Sequence, residues 1–474
     1  MNPKYGVPER HTCKYFNSSN QNFLASHLPV ELWSEIFLHC LPRQTYPRFR
    51  TTEAPLILGQ ICSAWRRLAL STPKLWSSIE VEILHSDRKD PAEYVWLLSM
   101  MELWLQRSGN CPLSIRIRYN FPSMMASTRN SPNSIPTKLL TALIPHAARW
   151  HRIHLLVPSA CIIPLQHNLP DTFPSLETLT LDMKGVWFST LPLSIHALGI
   201  HWAQLTQLHL HLDVTHLLTL DDCLDILSES TKLTRCVMNA NCVFGDRHRS
   251  SQRIALPKLR HLHLILQGGT QTYVNGLRVS ETPDSCLVAF LNTLGLAKLT
   301  TLGLDWLVQW DSDNRYWSES HSRFISFLDY STPFLENLRL AYLPLFEAEV
   351  LECLAYLPHL MQLELLFSLG DKEHDPITDH FICALSLPNS LELRTSRLLP
   401  QLVSINLQCH GASCNESSLV GLIESRWTGD LLAGVELKAF HFLSLQPVTK
   451  RLRRRIKGWK DEGLDVDIDF VIIR

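Results

Sequence analysis

The sequence predicts an α/β protein in two parts, a short helical unit followed by a long solenoid of parallel strands. Three observations lead there. Leucine is heavily over-used, at 84 of 474 residues. One leucine phrase recurs through the last two thirds of the chain, and the residues near the N-terminus follow a helical period instead. Bulk composition fits a folded chain, with 45% apolar and 19% charged residues and a mean hydropathy of zero, unlike a disordered tail. Lys plus Arg total 44 against 45 Asp plus Glu, a formal net charge of -1. That balance argues against a duplex nucleic-acid partner, whose binding domain is normally strongly basic. No apolar run approaches the ~18 residues of a membrane span, so no membrane partner is expected. Residues 1–26 read as a polar tail without the apolar segment of a secretory signal. The thirteen cysteines are an odd number with no C-x-x-C pair, so reduced thiols in the cytoplasm and/or nucleus are expected.

The recurring phrase is L-x-x-L-x-L. It stands at Leu176-Leu179-Leu181, Leu205-Leu208-Leu210, Leu259-Leu262-Leu264, Leu299-Leu302-Leu304, Leu335-Leu338-Leu340 and Leu360-Leu363-Leu365. Degenerate copies stand at Trp150-Ile153-Leu155, Leu233-Cys236-Met238 and Leu402-Ile405-Leu407. Steps between copies run about 25 to 29 residues, widening to roughly 36 to 42 at three later ones, within or above the leucine-rich-repeat period. The second half of each phrase alternates apolar and polar, as in Leu208-His209-Leu210-His211-Leu212, which predicts a short strand with one buried face. Amphipathic stretches between phrases, such as Cys223 to Leu227 and Phe324 to Leu328, each predict one helix. One repeat cannot bury its own apolar face, so neighbours must stack into a parallel-strand horseshoe over residues 146–440. Residues 81–145 read as a connecting segment with the first irregular repeats.

Residues 27–80 follow other rules. Pro29 stands at a predicted helix start with Glu31 in the first turn, both favourable there. The apolar residues of that helix form two rows stepping by four: Leu28, Leu32, Ile36, Cys40 and Trp33, Phe37, Leu41. Pro42 ends the helix, and a basic loop with Arg43, Arg48 and Arg50 leads to a second predicted helix carrying Leu58, Ile61, Cys62, Trp65 and Leu68. Ser71-Thr72-Pro73 stops it. So much apolar helical surface on about 50 residues calls for a partner or the rest of the chain to cover it.

This segment resembles an F-box. The resemblance rests on Leu28-Pro29, Glu31-Leu32, Ile36-Phe37, Ile61-Cys62, Trp65-Arg66-Arg67-Leu68 and Leu75-Trp76, in the family's order and near its spacing. The loop from Pro42 to Pro55 is longer than in compact members, and Ile61-Cys62 replaces the commoner Val-Cys. The resemblance implies docking on a Skp-type adaptor, which bridges to a cullin-RING scaffold. It makes the chain the non-catalytic substrate-recognition subunit of an SCF-type ubiquitin ligase, with the repeats holding a protein substrate. Leu28, Pro29, Leu32, Ile36, Phe37, Leu58, Ile61, Cys62, Trp65 and Leu68 are then the adaptor-binding residues. Three other readings stay open: a scaffolding protein outside any ligase, a helical cap on the solenoid, and an enzyme whose site is assembled from distant residues.

G-x-S-x-G, G-x-x-x-x-G-K-[ST], H-E-x-x-H and G-x-G-x-x-G are all missing from the sequence, so no catalytic centre is expected. No cofactor or metal is expected. His209 and His211 share a strand face with His261 and His263, but the Leu233 phrase intervenes, setting the pairs about 10 Å apart at ~4.8 Å per strand. One zinc ion needs ligands within ~2.1 Å. The loop Asp371 to Asp375 with Asp379 and His380 matches no standard cation loop. The basic run Lys450 to Lys457 reads as one face of an amphipathic helix in a C-terminal cap, residues 441–474, completed by the alternating strand Leu464 to Phe470. Side-chain alternation puts His154, Thr180, His209, Val237, His263, Gly303, Arg339, Glu364 and Asn406 on one concave face. Arg152, Arg235 and His261 flank that column on one side, and Asp182, His211, Asn239 and Asp305 on the other. Arg152, His154, His209, His211, Arg235, His261 and His263 are therefore the candidate substrate-binding residues, suited to an acidic or phosphorylated segment. The alternative site is the long insertions after Leu264 or Leu304.

Overall fold

The computed structural model describes residues 28–42, 46–84, 91–120, 135–162, 173–183, 195, 198–244, 253–268, 273–274, 277–278, 282–308, 317–331, 333–387, 398–427 and 435–471. The polar tail 1–26 and Arg43 of the basic loop lie outside them. The chain divides into two compact units, residues 1–120 and 121–474, so the boundary falls inside the segment read as connecting.

The first unit opens on α1 (Val30–His39). Pro29 sits just before its first turn, one position earlier than the sequence suggests, and its carbonyl accepts from Leu32 and Trp33 N–H at 3.1 and 3.2 Å. The second predicted helix is two helices, α2 (Leu58–Ile61) and α3 (Ser63–Leu70). Cys62 between them is extended (φ -156°), and its sulfur accepts from the Trp65 N–H at 3.4 Å, capping α3. Apolar periodicity runs through this break unaltered, which is why it is invisible in the sequence. Pro73 then starts a short 3-10 turn (Pro73–Trp76) that buries Leu75 and Trp76, with Trp76 Nε1 donating to the Ala69 carbonyl at 2.8 Å.

Next come β1 (Ser78–Leu84), α4 (Pro91–Arg107) and β2 (Leu113–Asn120), a β-α-β unit with the strands parallel from Ser78↔Ser114 to Leu84↔Asn120. Trp104 of α4 stacks edge-on against Trp76 at 4.8 Å, and Arg107 lies 4.5 Å over the Trp76 ring. The basic loop docks here. Arg48 Nε donates to the buried Glu80 carboxylate at 3.0 Å, Arg118 Nη2 lies 3.1 Å from the other oxygen, and the Pro47 carbonyl accepts from Glu80 N–H at 2.8 Å. A buried carboxylate needs such partners, because desolvating a lone charge is expensive.

Among the described residues the second unit contributes eleven parallel strands, in chain order, to one sheet, beside two minor two-stranded pairings. The eleven are β3 (Trp150–Leu156), β4 (Thr178–Asp182), β5 (Gln207–His211), β6 (Arg235–Asn241), β7 (His261–Gln267) and β8 (Thr301–Trp306). Then follow β9 (Asn337–Ala341), β10 (Gln362–Leu366), β11 (Ser404–Gln408), β12 (Ala439–Ser444) and β13 (Asp465–Phe470). Every leucine phrase supplies one strand, and every apolar position of all nine phrases is buried. Helix α5 (Ile135–Leu143) precedes β3, and helices fill most of the crossovers, though none of the described residues between β4 and β5 or between β6 and β7 is α-helical: the one-turn α6 (Ser159–Ile162), then α7 (Leu220–Glu229), α8 (Pro283–Thr293) and α9 (Ser318–Ser331). Later come α10 (Glu347–Ala355), α11 (Asp379–Leu385), α12 (Glu416–Trp427) and α13 (Lys450–Asp461). Caps fix where several begin. Thr219 and Asp222 form a reciprocal capping box on α7, and Thr449 accepts from Leu452 N–H on α13. Leu452 and Trp459 of α13 are buried, its cations face out, and β13 continues the sheet beside β12. The predicted start of the C-terminal cap, residue 441, falls inside β12 and not before it.

Two polar side chains placed on the recognition face turn out to be interior. Asn239 is fully buried, accepting from Leu212 N–H at 2.7 Å and donating to the Leu212 carbonyl at 2.6 Å, and Asp182 is also buried. Asn239 thus replaces a missing backbone partner at the end of β5. Replacing it by Ala orphans a buried donor and acceptor, and a urea titration is expected to show a loss of about 2–4 kcal/mol.

Candidate interaction surfaces

On the first unit, Leu28, Leu32 and Ile36 step along one side of α1 and are exposed, Leu32 at 50% and Ile36 at 41%. Pro29 is exposed beside them. Ile61 is 57% exposed at the end of α2, and Ile57 and Leu70 are exposed too. With Val30, Val95 and Leu103, nine aliphatic side chains are exposed among the described residues of this unit, apolar area of the kind partners cover.

The remaining residues assigned to the adaptor contact sit elsewhere. Phe37 and Leu58 are buried, so they hold the unit together and do not reach its surface. Trp65 is half-buried, its ring 4.8 Å from Phe37 and 5.5 Å from Trp33. Cys62 is the α3 cap, and Leu68 is half-buried. The single helical face expected for Leu58, Ile61, Trp65 and Leu68 is interrupted by the extended backbone at Cys62.

On the second unit, the strand register brings the expected column together. His154 pairs with Thr180, Thr180 with His209, His209 with Val237, and Val237 with His263. His263 pairs with Gly303, then Arg339, Glu364 and Asn406 follow, and the column runs on through His441 to Asp467. One flanking row aligns Arg152, Thr178, Gln207, Arg235 and His261. Arg152 and Arg235 are exposed, while His154, His209, His211, His261 and His263 are half-buried.

The centre of the column is an ionic cluster that the sequence does not announce. Arg339 Nε and Nη2 donate to the two Asp305 oxygens at 2.7 and 3.2 Å, and Nη1 meets Glu364 at 2.6 Å. Asn406 Nδ2 donates to the same Glu364 carboxylate at 2.9 Å. His263 Nε2 lies 3.2 Å from Asp305, at ion-pair distance but off the angle of a hydrogen bond. It reaches there because residue 303 is glycine: a Cβ at Gly303 would stand 2.7 Å from His263 Cδ2. Opposite charges at one phrase position in successive repeats, Arg339 and Glu364, are the signal that could have revealed the cluster. A shallow cavity of about 370 Å³ lies over it, lined also by Arg235, Asn337 and His441.

Electrostatics revise the expected positive face. Burial, with Arg235 and Arg260 nearby, lowers the His261 pKa, which disfavours its charged form on this face. Burial alone would raise the Asp305 carboxyl, but the neighbouring His263 and the hydrogen-bonded Arg339 outweigh it and hold it below the usual carboxylate range. A depressed carboxylate stabilises the fold above its unfolded pKa, about 3.9, and loses that contribution as pH falls through the lower folded value. Thermal melts from neutral to acid pH are expected to show Asp305→Asn less stable than the native chain at pH 6, with the gap closing below about pH 4.

Among the described residues no group of three His, Cys, Asp or Glu side chains is arranged to hold a metal ion, and no helix is long and apolar enough to cross a membrane. In the acidic loop, Asp375 accepts from Gly411 and Ile377 N–H, and Asp379 from Asn415 N–H. A scan against protein-family models and a search of curated proteins found no match to the chain.

Proposed function

We propose that the chain is a non-catalytic substrate receptor of an SCF-type ubiquitin ligase, an F-box unit joined to a leucine-rich-repeat solenoid. The observation that carries this is the exposed aliphatic surface of Leu28, Leu32, Ile36 and Ile61 on the segment whose residues resemble an F-box. Supporting it, the second unit repeats one strand per phrase with polar side chains aligned on one face, the arrangement by which solenoids present extended binding surfaces. The first unit meets the Skp-type adaptor and through it the cullin-RING scaffold, while the second selects a protein for ubiquitylation. No cofactor, nucleic acid or membrane enters this scheme, and the reading places it in the cytoplasm and/or nucleus. Tandem affinity purification of the full chain from cells tests it, with adaptor, cullin and RING subunit expected together. Adaptor without cullin would point to scaffolding outside a ligase, and recovery of neither would defeat the proposal.

A further inference from the structure

Beyond the ends of β8 and β9, three large apolar side chains stand exposed: Leu307, Tyr342 and Phe346. With Trp306 and Phe367 they line a groove of about 390 Å³. Their positions are held firmly. Tyr342 has φ 61°, in the left-handed region that bulky residues avoid, and its N–H is fixed on the Leu366 carbonyl at 2.6 Å. Backbone of this kind persists only where the surroundings enforce it, and it concentrates at functional sites. Phe346 is likewise anchored, its N–H donating to Glu349 at 2.8 Å as α10 begins.

A second cavity of about 460 Å³ adjoins the first. The two share Phe346 and His374, whose rings lie 6.1 Å apart. The second cavity is also lined by apolar side chains, Ala348, Leu351 and Pro376, and differs in carrying the carboxylates of Glu347, Glu373 and Asp375 beside His374 and His380. Glu373 is exposed, Asp371 lies at the junction, and Lys372 is the cation between them. Glu347 accepts from Thr378 at 2.8 Å and pairs with His380. A groove walled by large apolar side chains and one edged by carboxylates therefore meet at a single aromatic wall.

We infer that this double cavity is the anchoring site for the recognised protein, taking a segment with one large apolar side chain and a nearby Arg or Lys. The apolar side chain fills the groove beside Leu307 and Tyr342, and the cation lies across Phe346 toward Glu347 and Glu373. A cation over an aromatic face beside carboxylates gains from both. This rests on reading the second unit as the substrate-binding part, and it names a partner opposite in charge to one suited to Arg152 and Arg235.

The test uses the full chain and fluorescent Gly/Ser peptides carrying one Phe and one Arg at separations of one to four residues. Control peptides replace Phe by Ala or Arg by Glu. Fluorescence anisotropy is expected to find a separation at which the Phe/Arg peptide binds more tightly than both controls. Phe346→Ala is expected to weaken that binding about tenfold, as truncating an aromatic hot spot does. Glu373→Lys, at an exposed position that folding tolerates, is expected to turn the preference from Arg to Glu. No preference over the controls at any separation, or undiminished binding by both variants, would overturn the inference. Capture of a purified Skp-type adaptor by the same preparation reports on the ligase reading separately, so either can fail while the other stands.

Discussion

Replacing Leu32 and Ile36 together by Glu is expected to weaken binding of a Skp-type adaptor by about 100-fold or more, with the thermal midpoint nearly unchanged. Both side chains are about half exposed on one side of α1, so the free protein loses little packing. In an interface, each is a buried anchor whose removal costs about 2 kcal/mol, and every 1.4 kcal/mol is tenfold. The added carboxylates would also be desolvated in the bound state. Phe37→Ala is the contrasting variant. Phe37 is fully buried, so truncating it is expected to cost about 3–5 kcal/mol of stability in the first unit, seen as a lowered melting transition. Titration calorimetry with purified adaptor, beside differential scanning calorimetry, separates the two effects.

Arg426→Met is expected to destabilise the second unit by about 4 kcal/mol, a large share of the roughly 5–15 kcal/mol that holds most domains. Arg426 on α12 is 3% exposed, and its guanidinium donates to three backbone carbonyls: Leu385 at 2.6 Å, Leu399 at 3.0 Å and Leu398 at 3.0 Å. Leu399 sits at φ 52°, so the guanidinium pins a turn that an L-residue adopts reluctantly. Methionine keeps the volume and orphans all three acceptors. Lysine keeps the charge without the planar fork and is expected to recover only part of the loss. Urea unfolding of the three forms measures the ranking native, Lys, Met.

The strand column was legible residue by residue, from His154 through Asn406, because a side-chain period of two leaves no freedom once the leucines are buried. The repetition of one phrase supplied the strand order as well. What escaped depends on contacts between distant segments. Cys62 breaks a helix that its neighbours' apolar spacing continues. Asn239 looks like a surface residue of its strand, and only the Leu212 backbone beside it makes burial favourable. Arg426 reads as an ordinary helix cation, since the carbonyls it binds lie 27 to 41 residues away in sequence. Exposure could not be read either: Leu32 and Phe37 look equivalent in the helical pattern, and folding sends one outward and the other inward.

Hydrogen–deuterium exchange of the full chain with and without a purified Skp-type adaptor tests the central claim most directly. Slowed exchange is expected across residues 28–70, covering α1, α2 and α3, with strands β3 to β13 unchanged. Unaltered exchange over 28–70, or protection centred on the strands, would contradict the assignment of separate adaptor and substrate surfaces to the two units.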